Sequence, residues 1–326
     1  MSRPTRRTLR GLALLVGLAM MASACSAQGG KKAEKGVELP PMKIAMVTHA
    51  PAGDTFWDII KKGGEAAAAK NNVTLEYSSD VDPAKQATLI QNAIDRKVDG
   101  IAVTIPNPAA LTPAIKKAVD AGIPVVAFNA GFGHWQDSGA MMYFGQDESL
   151  AGEAAGRRLT EEGAKKVLCV IQEQGQVQLE ARCAGVKKGF TGGTTENINV
   201  RGTDLPDVRS TLGAKLRQDK SITHVITLGA PFALVTVQAV KDADSSAKVV
   251  TFDTSADLVT ALKNGDVQWA IDQQPYLQGY MAVDSLWLYR TNGNSIGGGR
   301  EVLTGPTFID KSNIDKVAEY ASRGTR

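Results

Sequence analysis

Short unbroken apolar runs alternate along this chain with longer stretches in which apolar side chains recur every three or four positions. Lys43-Ile-Ala-Met-Val-Thr48 is the first such run, and its continuity marks a strand covered on both faces. Phe56, Ile60, Gly63, Gly64 and Ala67 follow it at helical spacing. The pattern then predicts strands over 73–79, 100–105 and 124–129, with helices over 83–97 and 108–121 between them. After a strand over 141–146 a second series begins. It has helices over 148–162, 182–190, 207–218, 232–240 and 256–263, and strands over 166–172, 197–200, 223–229, 248–253 and 267–273. Strands alternating with helices build parallel sheets with helices on both faces, because the crossovers are right-handed. The expected fold class is therefore α/β, with two doubly wound parallel-sheet lobes. The polar step Gly145-Gln146-Asp147 between the series reads as a crossover rather than a loose linker.

The N-terminus breaks the pattern. Arg3, Arg6, Arg7 and Arg10 precede an uncharged apolar run over 11–21, the layout of a secretory signal and too short to span a bilayer. Ala22-Ser23-Ala24-Cys25 follows and resembles a bacterial lipobox, although Ala22 stands where leucine is usual. This assigns residues 1–24 to a signal peptide and Cys25 to lipidation; ordinary cleavage near Ala24 or Ala27, releasing a free protein, is the competing reading. Residues 25–41 hold Gly, Lys, Glu and Pro with almost no large apolar side chain, a composition that cannot bury a core and serves as a tether.

Charge changes the picture once the signal is removed. The four arginines leave 33 of the 37 basic residues against 34 acidic ones, so the body is near neutral and no nucleic-acid partner is expected. With Cys25 assigned, Cys169 and Cys183 remain. In an oxidising compartment an even pair invites a disulfide, while two buried free thiols are the alternative.

Open parallel sheets bind ligands beyond the carboxyl ends of their strands. Beyond the first strand stands His49-Ala-Pro-Ala-Gly-Asp54-Thr-Phe56-Trp57; Asn129, Gly229, Asp253 and Gln273 end later ones. Carboxylates and amides with adjacent aromatics suit a polyol, whose hydroxyls take charge-assisted hydrogen bonds and whose apolar ring faces pack on aromatic rings. Plainer roles exist for each residue. Asp54 suits a helix N-cap, Asp253 could cap the following helix, Phe56 and Trp57 could pad a helix start, and Arg182 could lie on a helix surface. His49, His134 and His224 stand apart and read as structural or surface residues, with His134-Trp135 in a loop that could rim the cleft.

Taken in order, Ile44-Ala-Met-Val, Asp54-Thr-Phe56-Trp57, Asp82-Pro83-Ala84-Lys85-Gln86, Asp99-Gly100-Ile101, Ala121-Gly122-Ile123-Pro124-Val125-Val126, Glu180-Ala-Arg182-Cys-Ala-Gly185, Val250-Thr-Phe252-Asp253 and Ala270-Ile-Asp-Gln273 resemble the ribose/galactose-type periplasmic binding proteins of sugar ABC importers. That family shares its fold with the LacI-type repressor core, but this chain has an export signal in place of a DNA-binding headpiece. The resemblance implies a type I periplasmic binding fold whose lobes are joined by a three-segment hinge near Gln146, Gln273 and Gly305. The N-terminal lobe is then 42–146 with 274–304, and the C-terminal lobe 147–273 with 305–326. It also implies a ligand site of Asp54, Phe56, Trp57, Asn129, Arg182, Asp253 and Gln273. Asn129 stands where ribose-type members carry aspartate and Ala130 where they carry arginine, and the asparagine expected after Gly229 is absent. The implied partners are a small neutral sugar or polyol and a membrane permease, met by a monomer at the outer face of the membrane, without cofactor or metal.

No catalytic residue is assigned. Gly-x-x-x-x-Gly-Lys-[Ser/Thr] and His-Glu-x-x-His are absent, and the region 131–136 lacks the third glycine of a dinucleotide fingerprint. Gly293-Asn-Ser295-Ile-Gly297 matches a nucleophile elbow but lies in an expected loop, with no later histidine. A nucleoside or furanosyl signalling molecule as ligand, and a glycoside hydrolase using Asp54 and Asp253, are the readings set against a sugar carrier.

Overall fold

The computed structural model describes residues 41–326; the signal segment, Cys25 and the tether up to residue 40 lie outside the described residues. Among those described, no helix is long and apolar enough to cross a membrane.

Two six-stranded sheets organise the chain. The first holds β1 (Met42–Thr48), β2 (Val73–Ser79), β3 (Gly100–Val103), β4 (Val125–Phe128) and β5 (Met142–Gly145), alternating with α1 (Thr55–Lys70), α2 (Pro83–Asp95), α3 (Pro108–Asp120) and the short α4 (Trp135–Ser138). The second holds β6 (Lys166–Ile171), β7 (Thr194–Asn199), β8 (His224–Thr227), β9 (Lys248–Phe252) and β10 (Val267–Asp272). With it run α5 (Glu148–Glu161), α6 (Val177–Gly189), α7 (Leu205–Gln218), α8 (Ala230–Asp242) and α9 (Ala256–Asn264). The chain then returns through α10 (Pro275–Asn292) and β11 (Val302–Leu303) and ends with β12 (Thr307–Asp310) and α11 (Asp315–Ser322). Strand order is β11-β5-β4-β3-β1-β2 in one sheet and β12-β10-β9-β8-β6-β7 in the other. All pairings are parallel except that of β12 with β10.

The apolar runs explain the sheets. Ile44 to Val47 of β1 are at most 1% exposed, as a central strand between two helical layers must be. Helix starts are set by short side chains: Asp82 and Asn107 accept backbone N–H bonds ahead of Pro83 and Pro108, and Ser255 caps α9. Two helix pairs cross at glycines. A Cβ on Gly63 or Gly279 would strike a carbonyl of the opposite helix in the α1–α10 pair, and one on Gly152 or Gly185 would do so between α5 and α6.

The chain passes between the sheets three times: after β5, after β10, and between β11 and β12. Several local expectations need correction. The helix expected from residue 182 begins at Val177, so Arg182 sits in mid-helix with its side chain buried. Trp135 does not rim a cleft; it opens α4 and is 4% exposed in the core beneath the first sheet. The glycines around Ser295 follow the end of α10 with no strand before them, which excludes a nucleophile elbow. Cys169 on β6 and Cys183 on α6 are joined by a disulfide, their Cα atoms 5.9 Å apart.

Candidate functional site

A cavity of about 50 Å³ lies between the lobes at the carboxyl ends of the strands, space for a few water molecules. All seven candidate residues line it: Asp54, Phe56, Trp57 and Asn129 from the first lobe, Arg182 and Asp253 from the second, and Gln273 from a crossing segment. The lobes touch at its edge. Val177 N–H donates to Pro106 O at 3.0 Å, and Gln178 Nε2 lies 3.1 Å from His49 Nε2.

Arg182 is 3% exposed and held by Glu148 through Nε at 2.6 Å and Nη2 at 2.9 Å, while Nη1 donates to Leu228 O at 2.9 Å. Its guanidinium also stands 4.7 Å from the centre of the Phe252 ring. Glu148 opens α5 directly after the first crossing and takes a further bond from Gln146 Nε2 at 2.8 Å. A guanidinium has five N–H donors, and three of them are engaged here.

Asn129 and Asp253 directly follow β4 and β9 with φ of 61° and 65°. Asn and Asp adopt this left-handed turn more readily than most residues, and it turns their side chains toward the cavity. Gln273 ties the two together: its Nε2 donates to Asp253 Oδ1 at 2.7 Å, and its Oε1 accepts from Asn129 Nδ2 at 3.3 Å and from Gln278 Nε2 at 3.0 Å. Gln278 in turn accepts from Asn129 and donates to Thr304 Oγ1. One polar network thus joins both lobes through two of the crossings.

Asp54 fills both roles considered for it. Its Oδ1 accepts from Phe56 N–H at 3.0 Å and caps α1, while the residue also lines the cavity. The aromatic pair divides. Trp57 is 6% exposed in the first-lobe core and meets His49 edge-on at 4.6 Å; Phe56 is half-buried and free to pack on a ligand ring. Phe56→Ala is therefore expected to weaken ligand binding by about 1 kcal/mol, roughly fivefold, with little change in melting temperature. Calorimetry and a thermal melt of the same preparation check it, and an unchanged affinity would remove Phe56 from the site.

Further lining residues went unread in the sequence. His49 is neither isolated nor superficial: it is 3% exposed, its Nδ1 lies 2.8 Å from Thr104 Oγ1, and burial with the Arg182 charge holds its pKa down near 3. The neutral ring thus accepts from Gln178. Gln172, Glu173, Gln176 and Gln178 follow β6, so the strand-end rule that found Asn129 and Asp253 also pointed at them. Glu148 carried one signal, an acidic residue immediately after the crossover. Among the described residues no group of three or more His, Cys, Asp or Glu is arranged to hold a metal ion.

Burial pushes Asp253 up from 3.8 to about 7 against the opposing pull of Arg182, and pushes Glu173 up to about 7 with help from Asp54. A raised carboxyl pKa means that the folded state holds a proton the unfolded chain has lost. The contribution of Asp253 to stability is therefore present below about pH 4 and falls as pH climbs toward 7. The ligand-free protein should lose melting temperature across this window more steeply than Asp253→Asn does. Melts at half-unit pH steps test this; parallel profiles would count against it.

The sequence profile of the periplasmic binding protein domain matches residues 44–294, and a carbohydrate transporter of Acidothermus cellulolyticus, solved with myo-inositol, is 63% identical to this chain. The chain belongs to the type I periplasmic sugar-binding proteins. The Acidothermus structure superposes with a TM-score of 0.87 and covers 88% of this chain and 100% of its own. An ABC transporter solute-binding protein of Burkholderia graminis in complex with D-arabinose is 25% identical, with a TM-score of 0.76 over 84% of this chain and 96% of that one. The xylose/arabinose-binding protein of Sulfolobus acidocaldarius is 22% identical over 85% of this chain and 73% of that protein. The family consists of extracytoplasmic, transport-associated binding proteins of sugar ABC importers.

Proposed function

We propose that the protein captures a cyclitol or monosaccharide, myo-inositol foremost, and delivers it to a membrane permease by closing its lobes on the ligand. The observation that carries this reading is the cavity itself. Carboxylates and amides from both lobes surround a small, partly open space with Phe56 on one wall, groups that suit the hydroxyls and the ring face of a polyol, with too little room for an oligosaccharide. The myo-inositol held by the 63% identical Acidothermus protein supports the cyclitol. Closure excludes water, so each polar contact gains strength. In this reading the carrier acts as a monomer anchored by a lipid on Cys25, after the arginine-rich and apolar signal that precedes it.

Calorimetry on a panel of cyclitols, neutral pentoses and hexoses, nucleosides and amino acids tests the ligand class. Tight one-to-one binding of a cyclitol or sugar without product is expected. A nucleoside or amino acid bound tightly while every sugar and polyol fails would overturn the reading, and so would turnover of a glycoside. Mass spectrometry of the exported protein tests the anchor separately, and an unmodified Cys25 would remove the anchor while leaving the carrier.

A further inference from the structure

We propose, resting on the reading just given, that the same site accepts polyols bearing a protonated amine, as in aminocyclitols and amino sugars, and that Glu173 is the residue that favours the ammonium.

The first ground is a charge count at the cavity wall. Arg182 is the one lysine or arginine among the described residues that line it, and its charge is already answered by Glu148 in a two-point ion pair. Asp253 Oδ2 stands 3.9 Å from that guanidinium, beyond hydrogen-bond reach. His49 is neutral, since its pKa is held near 3. Asp54 and Glu173 are thus wall carboxyls with no ion pair among the described residues, and Asp253 has only a distant share of the guanidinium that Glu148 already holds. Ala130, the residue beside Asn129, brings none and is fully buried. Burial is the main cause that raises all three carboxyls, and neighbouring carboxylates add to it, Asp58 for Asp54, Asp54 for Glu173 and Glu148 for Asp253.

The second ground is independent of charge. Gln172 Oε1 and Gln178 Oε1 are buried acceptors without any hydrogen-bond donor, both residues line the cavity, and Gln178 is 5% exposed. A buried acceptor left unpaired is costly, so the wall calls for donors. A hydroxyl brings one donor together with acceptor lone pairs, whereas an ammonium brings three donors, a positive charge and no acceptor. Exchanging one ligand hydroxyl for an ammonium therefore moves the ligand toward what the wall lacks. Glu173 belongs to the loop after β6 that also carries Gln172 and runs into α6 with Gln178, and after burial the Asp54 charge is the next cause that raises its carboxyl. An ammonium between these two carboxylates relieves their repulsion, which a neutral hydroxyl does not.

The test is calorimetry at pH 7.5 on wild type and Glu173→Gln with myo-inositol, its monoamino-deoxy isomers, inositol monophosphate and glucuronate. At least one amino-deoxy isomer should bind wild type within threefold of myo-inositol or more tightly. Glu173→Gln should weaken that isomer at least tenfold more than it weakens myo-inositol, and both anions should fail to bind. If myo-inositol binds while every amino isomer is more than tenfold weaker, or if Glu173→Gln weakens the amine and the neutral parent equally, the amine proposal falls and the polyol reading stands. Should neither the neutral cyclitol nor any amine bind, both fall together.

Discussion

Arg182→Ala should both unfold early and fail to bind. Its partner Glu148 is buried, and without the guanidinium its carboxylate keeps only the Gln146 bond. Breaking a buried pair from one side costs about 3–5 kcal/mol, a fall in melting temperature on the order of 10 °C for a chain of this size. A loss of fold alone would also abolish binding, so the decisive variant removes both partners. Arg182→Met with Glu148→Leu fills the space with apolar groups of similar size, and such replacements of buried pairs are often neutral for stability. The double variant should therefore melt close to wild type and still bind the polyol weakly, by about 2–4 kcal/mol. A single variant as stable as wild type would contradict the stability argument. A double variant with full affinity would show that Arg182 does not touch the ligand.

The second large effect concerns the Cys169–Cys183 bond. It closes a loop of 14 residues, for which chain entropy gives about 3 kcal/mol of stabilisation. The closed segment carries Gln172, Glu173, Gln176, Gln178 and Arg182, much of the cavity wall of the second lobe. Reduction should accordingly lower the melting temperature and weaken ligand binding together, whereas reduction in a structurally idle position would lower only the first. Intact mass before and after reduction comes first: two free thiols in the native exported protein would refute the bond. A reduced protein that melts and binds like the oxidised one would refute its weight.

Much of the α/β frame was legible because a strand covered on both faces leaves an unbroken apolar run, as in Ile44–Val47, whatever the rest of the fold does. Strand ends then located Asn129, Asp253 and Gln273, since the topology fixes where such ends lie. The late elements were harder to read. β11 has two residues and β12 four, too few for a period, and α10 buries side chains on several faces against α1 and the first sheet. The pairing of Arg182 with Glu148 joins residues 34 positions apart, and only the packing of α5 against α6 creates it. Exposure also divided the aromatic pair, because adjacent residues on a helix point about 100° apart, so one of Phe56 and Trp57 had to face the core.

The matching strand orders carry a consequence of their own. Reading β1 for β6, β2 for β7, β3 for β8, β4 for β9, β5 for β10 and β11 for β12 turns one strand order into the other, although β12 runs antiparallel to its neighbour where β11 runs parallel. Under this exchange Asn129 falls on Asp253, Gln146 on Gln273, and the loop of Asp54 on the loop of Glu173. The proposed site thus draws its groups from two lobes of one strand order. In the proposed site the places where the lobes differ, Asn129 against Asp253 above all, would tell one end of a ligand from the other. Asn129→Asp would erase part of that distinction, turning a carrier that holds its ligand in a single pose toward one that holds it in two.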